Sequence, residues 1–280
     1  MAKSSDQRGF VYLATGERDT TLARRSARRL RAVHSRITID LFTDQPVDDA
    51  IFAQIHSLDG SAHHPRIEVL RRSRFDDTIL LQPNMICVTH IAELFGMTGR
   101  FPLSATLGTA RPDMMITHQH DIPRWFPLWD DGLMVFRKGK TIQRVARQWD
   151  AMMEAPTDAP DLGALRRLCW DLRLTVGTVP PEYNVTMRRL LDIWPNTMGP
   201  PRMLHLDPEH FGQPGAADQP LSYSALLPAD MVAAIDAMVA TEASAAVQAE
   251  PLHWTRTSRW GRIMRIVGQH TGVMPPRSRP

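Results

Sequence analysis

Two adjacent carboxylates, Asp130-Asp131, and two neutral amides flanking a proline, Gln82-Pro83-Asn84, are residues whose types and spacing invite a chemical reading. Paired carboxylates can orient a hydroxyl or take its proton. Amide carbonyls can face a cation or a polar ligand but bring no charge to it. His118-x-His120-Asp121 offers imidazole and carboxylate, a set open to a transition metal, although the same residues suit a hydrogen-bonded loop. Trp125 and Trp129, on either side of Phe126-Pro127-Leu128, could stack on a sugar or lipid or pack in the core. The sequence has no glycine-rich phosphate loop, zincin helix or nucleophile elbow, which removes the common kinase, protease and hydrolase mechanisms. Its two cysteines, Cys87 and Cys169, have the spacing of neither a zinc nor a redox motif and read as buried thiols in a reducing compartment.

The elements that must position these residues follow from periodicity. A chain of 280 residues, 43% hydrophobic and 22% charged, suits one α/β domain with extensions. Phe10 to Ala14 reads as a buried strand ending at Thr15-Gly16. An amphipathic helix then starts near Thr20, carrying Leu22, Ala23, Ser26, Leu30 and Val33 on one face and arginines on the others. Ile37 to Asp44 is the second strand. Strand, helix, strand with short links predicts a right-handed crossover in a parallel sheet, with ligands beyond the strands' carboxyl ends. Further strands are expected at Arg66 to Leu70, Thr78 to Leu81, Leu103 to Leu107, Gly132 to Phe136, Leu172 to Val176 and Arg202 to Leu206. The chain should turn at Pro83, because proline cannot donate to a ladder. Helices are expected at Thr141 to Met153, through Leu165 and Leu168, and in an alanine-rich stretch with Met231, Val232, Ile235, Met238 and Val239 as its apolar stripe.

Several stretches, taken in order, resemble the bacterial GT-A glycosyltransferase-like families that include glycogenin-like and galactosyltransferase-like enzymes. They are Val11 to Gly16 with Leu41 to Asp44, Asp77 to Cys87, Phe126 to Lys138, Val179-Pro180-Pro181-Glu182-Tyr183-Asn184, and Met203-Leu204-His205. The resemblance implies a GT-A-like α/β fold, a mixed but mainly parallel sheet flanked by helices, over residues 9–213, with a helical C-terminal extension over 214–280. It implies nucleotide contacts from Ala14, Thr15, Gly16 and Asp44, and donor-side contacts from Gln82, Asn84 and His205. In the family the central strand ends in Asp-x-Asp, where this chain has Gln82-Pro83-Asn84. Each carboxylate replaced forgoes about 4 kcal/mol per unit of ion charge at ~4 Å and an effective dielectric of ~20. No metal site is therefore expected, and weak manganese or magnesium binding with the nucleotide-sugar is the cofactor left open. Other departures fall at Asp77, Asp130, Asp158-Ala159 and Leu206.

On this reading the substrates are a nucleotide-sugar donor and an unknown acceptor. Arg188, Arg189 and Arg202 are candidates to steady the diphosphate, and Asp130 and Asp131 to orient or deprotonate the acceptor hydroxyl. The alternative is a catalytically inactive pseudo-glycosyltransferase that binds a nucleotide or a partner protein. A formal charge of +3 from 33 basic and 30 acidic residues argues against a nucleic-acid partner. The tail after Glu250 carries arginines and no acid, so a basic helix from Trp254 through Val267 could touch a membrane face. Without an apolar N-terminal run or spanning segment, a cytoplasmic location is expected, peripheral at the inner membrane face if that helix binds.

Overall fold

The computed structural model describes residues 7–58, 64–108, 119–154, 161–194, 199–206 and 211–248. The chain divides into one unit from Met1 to Ala240, which holds the sheet, and a second from Thr241 to Pro280. Strands β1 (Arg8–Ala14), β2 (Thr38–Thr43), β3 (Gln54–Ser57), β4 (Asp77–Leu81), β6 (Leu103–Leu107), β7 (Trp129–Arg137) and β8 (Val176–Val179) form a seven-stranded sheet in the order β3-β2-β1-β4-β7-β6-β8. All neighbours are parallel except those of β7, which runs antiparallel to both β4 and β6. A second, small sheet pairs β5 (Met85–Cys87) with β9 (Met203–His205).

Strand periodicity sorts side chains into two layers. On one face Phe10, Tyr12, Ile39 and Leu41 lie under α1 (Gly16–Val33), with its Ala23, Ala27 and Leu30, while Ile79, Leu81, Leu133 and Val135 lie towards the 3-10 helix Ala92–Gly99, with its Leu94 and Phe95. Their neighbours Val11, Phe42, Leu80, Met134 and Phe136 face α2 (Pro65–Arg72), α3 (Lys140–Glu154) and α4 (Asp161–Asp171). Trp149 of α3 is fully buried there. A third apolar cluster joins Leu22, Ile86 and Leu204 to Leu221, Leu227 and Ile235, the last on α6 (Ala229–Gln248). The short helix α5 (Arg188–Asp192) adds Leu190 and Leu191 at its margin. The arginines of α1 fasten neighbours: Arg28 grips Asp49 at 3.0 Å, Arg29 donates to the Cys87 carbonyl at 2.7 Å, and Arg25 reaches the Pro214 and Gln219 carbonyls.

The structure departs from three expectations. Helix α1 starts at Gly16, not near Thr20, because its polar first turn carries no apolar periodicity to announce it. Arg66 to Leu70 is helical: Pro65 opens α2, Ile67 and Leu70 bury one face, and Glu68 pairs with Arg71 at 3.3 Å. The run from Leu172 turns before it extends, with Arg173 at φ 48°, so β8 begins only at Val176. The basic segment from Trp254 through Val267 lies outside the described residues. Among those described, no helix is long and apolar enough to cross a membrane.

Asp40, fully buried on β2, is the main charge inside the sheet. Arg74 donates to its two oxygens at 2.7 and 3.0 Å, and His56, stacked on Phe42, lies 3.2 Å away. Burial alone would raise this carboxyl; the bonds from His56 and Arg74 outweigh it and hold it below the usual carboxylate range. A depressed folded pKa gives stability that is full above the unfolded value and is lost as pH falls through the folded one. Asp40→Asn should therefore lower the unfolding free energy by about 1–3 kcal/mol at pH 7. Urea titrations over a pH series should show the gap to the parent shrinking only below about pH 4.

Candidate functional site

Strands β1, β2, β4, β6 and β8 point the same way, so their carboxyl ends share one edge, and antiparallel β7 begins at that edge. The strand order reverses between β1 and β4, the place where open α/β sheets leave a crevice for ligands. Ala14 ends β1 and Thr15-Gly16 lead into α1, Asp44 follows β2, and Gln82-Pro83-Asn84 follow β4. Thr106 stands at the end of β6, Asp130 and Gly132 at the start of β7, and Asn184 just beyond β8.

The turn after β1 is tight. Thr15 is extended at φ −118°, and Gly16 takes φ +77°, a left-handed conformation that favours glycine. Its amide donates to Asp44 Oδ1 at 2.8 Å, which ties the start of α1 to the end of β2. Burial tends to raise the Asp44 carboxyl, but bonds from the Gln45 side chain and the Gly16 amide hold it low. Arg18, in the first turn of α1, donates to the Gly212 carbonyl at 3.3 Å. With Glu17, Thr21 and Gly212 to Gly215 it lines an open cleft of about 780 Å³.

On the other side of the crevice the buried carboxamide of Asn184 joins three elements. Its Nδ2 donates to Asp130 Oδ1 at 2.7 Å and to Thr106 Oγ1 at 2.9 Å, and its Oδ1 lies 2.9 Å from His205 Nδ1. A carboxylate only accepts, so the nitrogen of the amide must face Asp130. The oxygen then faces His205, whose Nδ1 must donate. In the neutral ring the lone pair falls to Nε2. The β6–β7 register slips between Ala105 and Thr106, a bulge that brings Asp130 opposite Thr106. Gly132 is required by this packing, since a Cβ there would collide with His205 Nδ1 and Asn184 Oδ1. Its amide also donates to Asp130 Oδ1 at 2.8 Å. Among the described residues, Asp130 Oδ2 carries no hydrogen bond.

Gln82 lies beside this cluster, its amide donating to the Gly132 carbonyl at 3.2 Å. Asn84 is 6% exposed and its Nδ2 donates to the Leu206 carbonyl at 2.8 Å, leaving Oδ1 and the second Nδ2 hydrogen of its side-chain amide for a ligand. A hard divalent ion prefers charged oxygens. Neutral amides stand where those would be, and no group of three histidine, cysteine or acidic residues among the described ones is placed to hold a metal. The residues do not fit a tightly bound ion.

The other sequence-derived candidates differ in their surroundings. Arg202 donates to the His90 carbonyl at 2.8 Å, pairs with Glu93 at 3.2 Å and lies over the Tyr183 ring, holding the Pro181–Tyr183 turn. Arg188 is exposed at the start of α5, where it lines a groove with Met187, Arg189, Asp192 and Asp230. Asp131 is on β7 beside Asp130. Asp77 sits at the opposite end of β4 from the crevice, paired with Arg137 at 2.8 Å, so its departure from the family pattern belongs to the strand's anchoring and not to ligand contact. His118 and Asp158-Ala159 lie outside the described residues. Both oxygens of Asp121 are taken by Arg167. Trp129 is core at 5% exposure, whereas Trp125 is 76% exposed. Burial pushes the Cys87 and Cys169 thiols up to about 12, so neither is a nucleophile at neutral pH.

Asn184 is the site residue that sequence reasoning passed over. Its segment was recognisable from Pro180-Pro181 onward, but nothing local reveals that its amide reaches three other elements. Thr106, inside an ordinary strand run, carries no signal at all. Asn184→Ala should cost about 1–3 kcal/mol, because it strips partners from buried polar groups. It should also convert His205 from a single Nδ1–H tautomer to a mixture, read from the ring ¹⁵N resonances. An unchanged ring pattern in the variant would show that Asn184 does not set the tautomer.

No protein-family model and no curated protein sequence matches the chain. Solved structures do. The glycosyltransferase GlyE of Streptococcus pneumoniae TIGR4 is 14% identical at a TM-score of 0.53, over 71% of this chain and 54% of that one. The galactosyltransferase LgtC, solved with donor and acceptor sugar analogues, is 12% identical at 0.50, over 71% of this chain and 87% of that one. The bifunctional glycosyltransferase WbbM is 12% identical at 0.51, over 73% and 46%. The chain thus spans about half the length of GlyE. Identity this low makes the likeness one of architecture, and the mixed, mainly parallel sheet flanked by helices is that of the GT-A glycosyltransferases.

Proposed function

We propose that this protein binds a nucleotide-sugar at the crevice between β1 and β4 and transfers the sugar to an acceptor hydroxyl without a tightly held metal. The observation that carries the reading is the convergence of Gly16, Asp44, Gln82, Asp130, Asn184 and His205 on one sheet edge of a GT-A fold. The nucleoside belongs with the β1–α1 turn and Asp44, and the diphosphate with the positive end of α1 and Arg18. Asp130, fixed through Oδ1, presents Oδ2 to orient the acceptor hydroxyl or take its proton. The leaving diphosphate keeps its bonding electrons, and its charge is met by fixed cations and amides instead of an ion.

A thermal-shift panel of UDP, GDP, CDP and their sugars, with and without manganese, tests this directly. One nucleotide series should stabilise the parent without metal, by about 2.7 kcal/mol at a hundredfold excess over Kd, and Arg18→Ala should weaken it about tenfold. If no member of the panel shifts the transition, the proposal fails.

Placing Asp at Gln82 and Asn84 tests the absent ion. Asn84→Asp alone sets a carboxylate against the Leu206 carbonyl and should cost about 1–3 kcal/mol. The double change should recover that loss in manganese and gain metal-dependent nucleotide binding. Recovery with magnesium and manganese both absent would contradict this account of the site.

A further inference from the structure

The turn that leads into β7 is held with unusual firmness for a surface loop. Arg166 of α4, only 2% exposed, donates to the Pro123 carbonyl at 3.0 Å, to the Phe126 carbonyl at 3.1 Å and to Gln119 Oε1 at 3.0 Å. Gln119 in turn donates to the Gly163 carbonyl at 2.6 Å, and the Phe126 amide closes the turn on Pro123 at 2.9 Å. Pro123 and Pro127 bracket it. Burying a guanidinium is unfavourable unless its donors are satisfied, and here they are satisfied by this loop. What the loop presents is Trp125, 76% exposed, at the end of an edge-to-face aromatic series. Its ring lies 6.0 Å from Trp170 and 6.3 Å from Phe126, which themselves meet at 5.1 Å.

We infer that Trp125, backed by Phe126 and Trp170, is a carbohydrate-stacking platform that holds a sugar ring of an oligosaccharide acceptor. Pyranose rings offer an apolar C–H face that packs on an open aromatic face, while their hydroxyls need polar groups at the rim. Asp121, 64% exposed along its side chain, lies on the same loop–helix seam; Arg167 bonds both of its oxygens, and the second lone pair of each stays open to a sugar hydroxyl. A rigid platform suits this use, because the ordering cost is met on folding and not on binding. Trp125 precedes Asp130 by five residues, which span at most about 17 Å, so a few sugar units can reach from the platform to the proposed reacting hydroxyl. The identity of the ligand as an acceptor rests on the proposed transferase reading; the stacking of a sugar on Trp125 does not.

The test uses the full chain labelled with 5-fluorotryptophan, the Trp125 ¹⁹F resonance being assigned from Trp125→Phe. Maltotriose, cellotriose, lactose and N-acetylchitotriose are titrated separately. At least one should move that resonance saturably. By isothermal titration calorimetry, which needs no label at this position, Trp125→Ala should weaken the same sugar about tenfold, and Trp125→Phe by less. Nucleotide-sugar stabilisation in the thermal-shift panel should be unchanged in both variants, which separates failure of the platform from failure of the transferase reading. The proposal is overturned if none of the four sugars moves the resonance, if only phosphatidylglycerol vesicles do so, or if it moves with protein concentration alone.

Discussion

The buried amide of Asn184 is the join on which the candidate site depends. It spans the end of β6, the start of β7 and the end of β9, elements that share no neighbourhood in the sequence. In a low-dielectric setting such bonds are strong when complete, and the buried groups are destabilising when one is left unmade. That explains several local oddities together. The β6–β7 bulge turns Asp130 towards the amide, and Gly132 clears the space that the His205 ring fills. The Pro181–Tyr183 turn, braced by Arg202, delivers Asn184 to its place. Removing the amide would undo the orientation of an acid and an imidazole at once.

Charge around this join is sparse at the end of the central strand. The residues after β4 are amides, one of them already bonded to the Leu206 carbonyl, so the central strand ends without anionic oxygens to gather a cation. The carboxylate nearest the β1–α1 turn, Asp44, closes the start of the helix. Most arginines of α1 are committed to carbonyls and to Asp49, holding the C-terminal portion of the main unit and the β5 strand against the sheet. Arg18, at the first turn, lines the open cleft beside Gly212 to Gly215. The arginines of this helix are thus largely scaffold, Arg18 included, since it holds the Gly212 carbonyl.

The division of labour between the two faces of the sheet is just as consistent. The α1 face is built from small helix residues against large strand residues, which lets the helix lie close and brings its N-terminus to the crevice. The other face is thicker, with Trp149 and the α3–α4 pair filling it, and it carries the buried charges Asp40 and Arg166. Asp40 is locked inside the sheet by Arg74 and His56, whereas Arg166, also buried, spends its bonds on fixing a loop. One serves the scaffold and the other the surface.

Much of the architecture was legible from the residues alone. Apolar strands, the β1–α1–β2 crossover and the ordered segments from Val11 to His205 point to a mainly parallel α/β sheet, because side-chain period and turn chemistry are local properties. The helix at Pro65–Arg72 was not legible, since a short apolar run satisfies either period until packing on α3 selects one. Nor was the sorting of the candidates. Arg202 and Asp77 look as available as Asp130 in sequence, and Trp129 as available as Trp125. Only the tertiary structure places the first two in ion pairs, buries Trp129 and leaves Trp125 open. The composition of the crevice was thus written in the chain, while which side chains face it was decided by long-range contacts that no local pattern encodes.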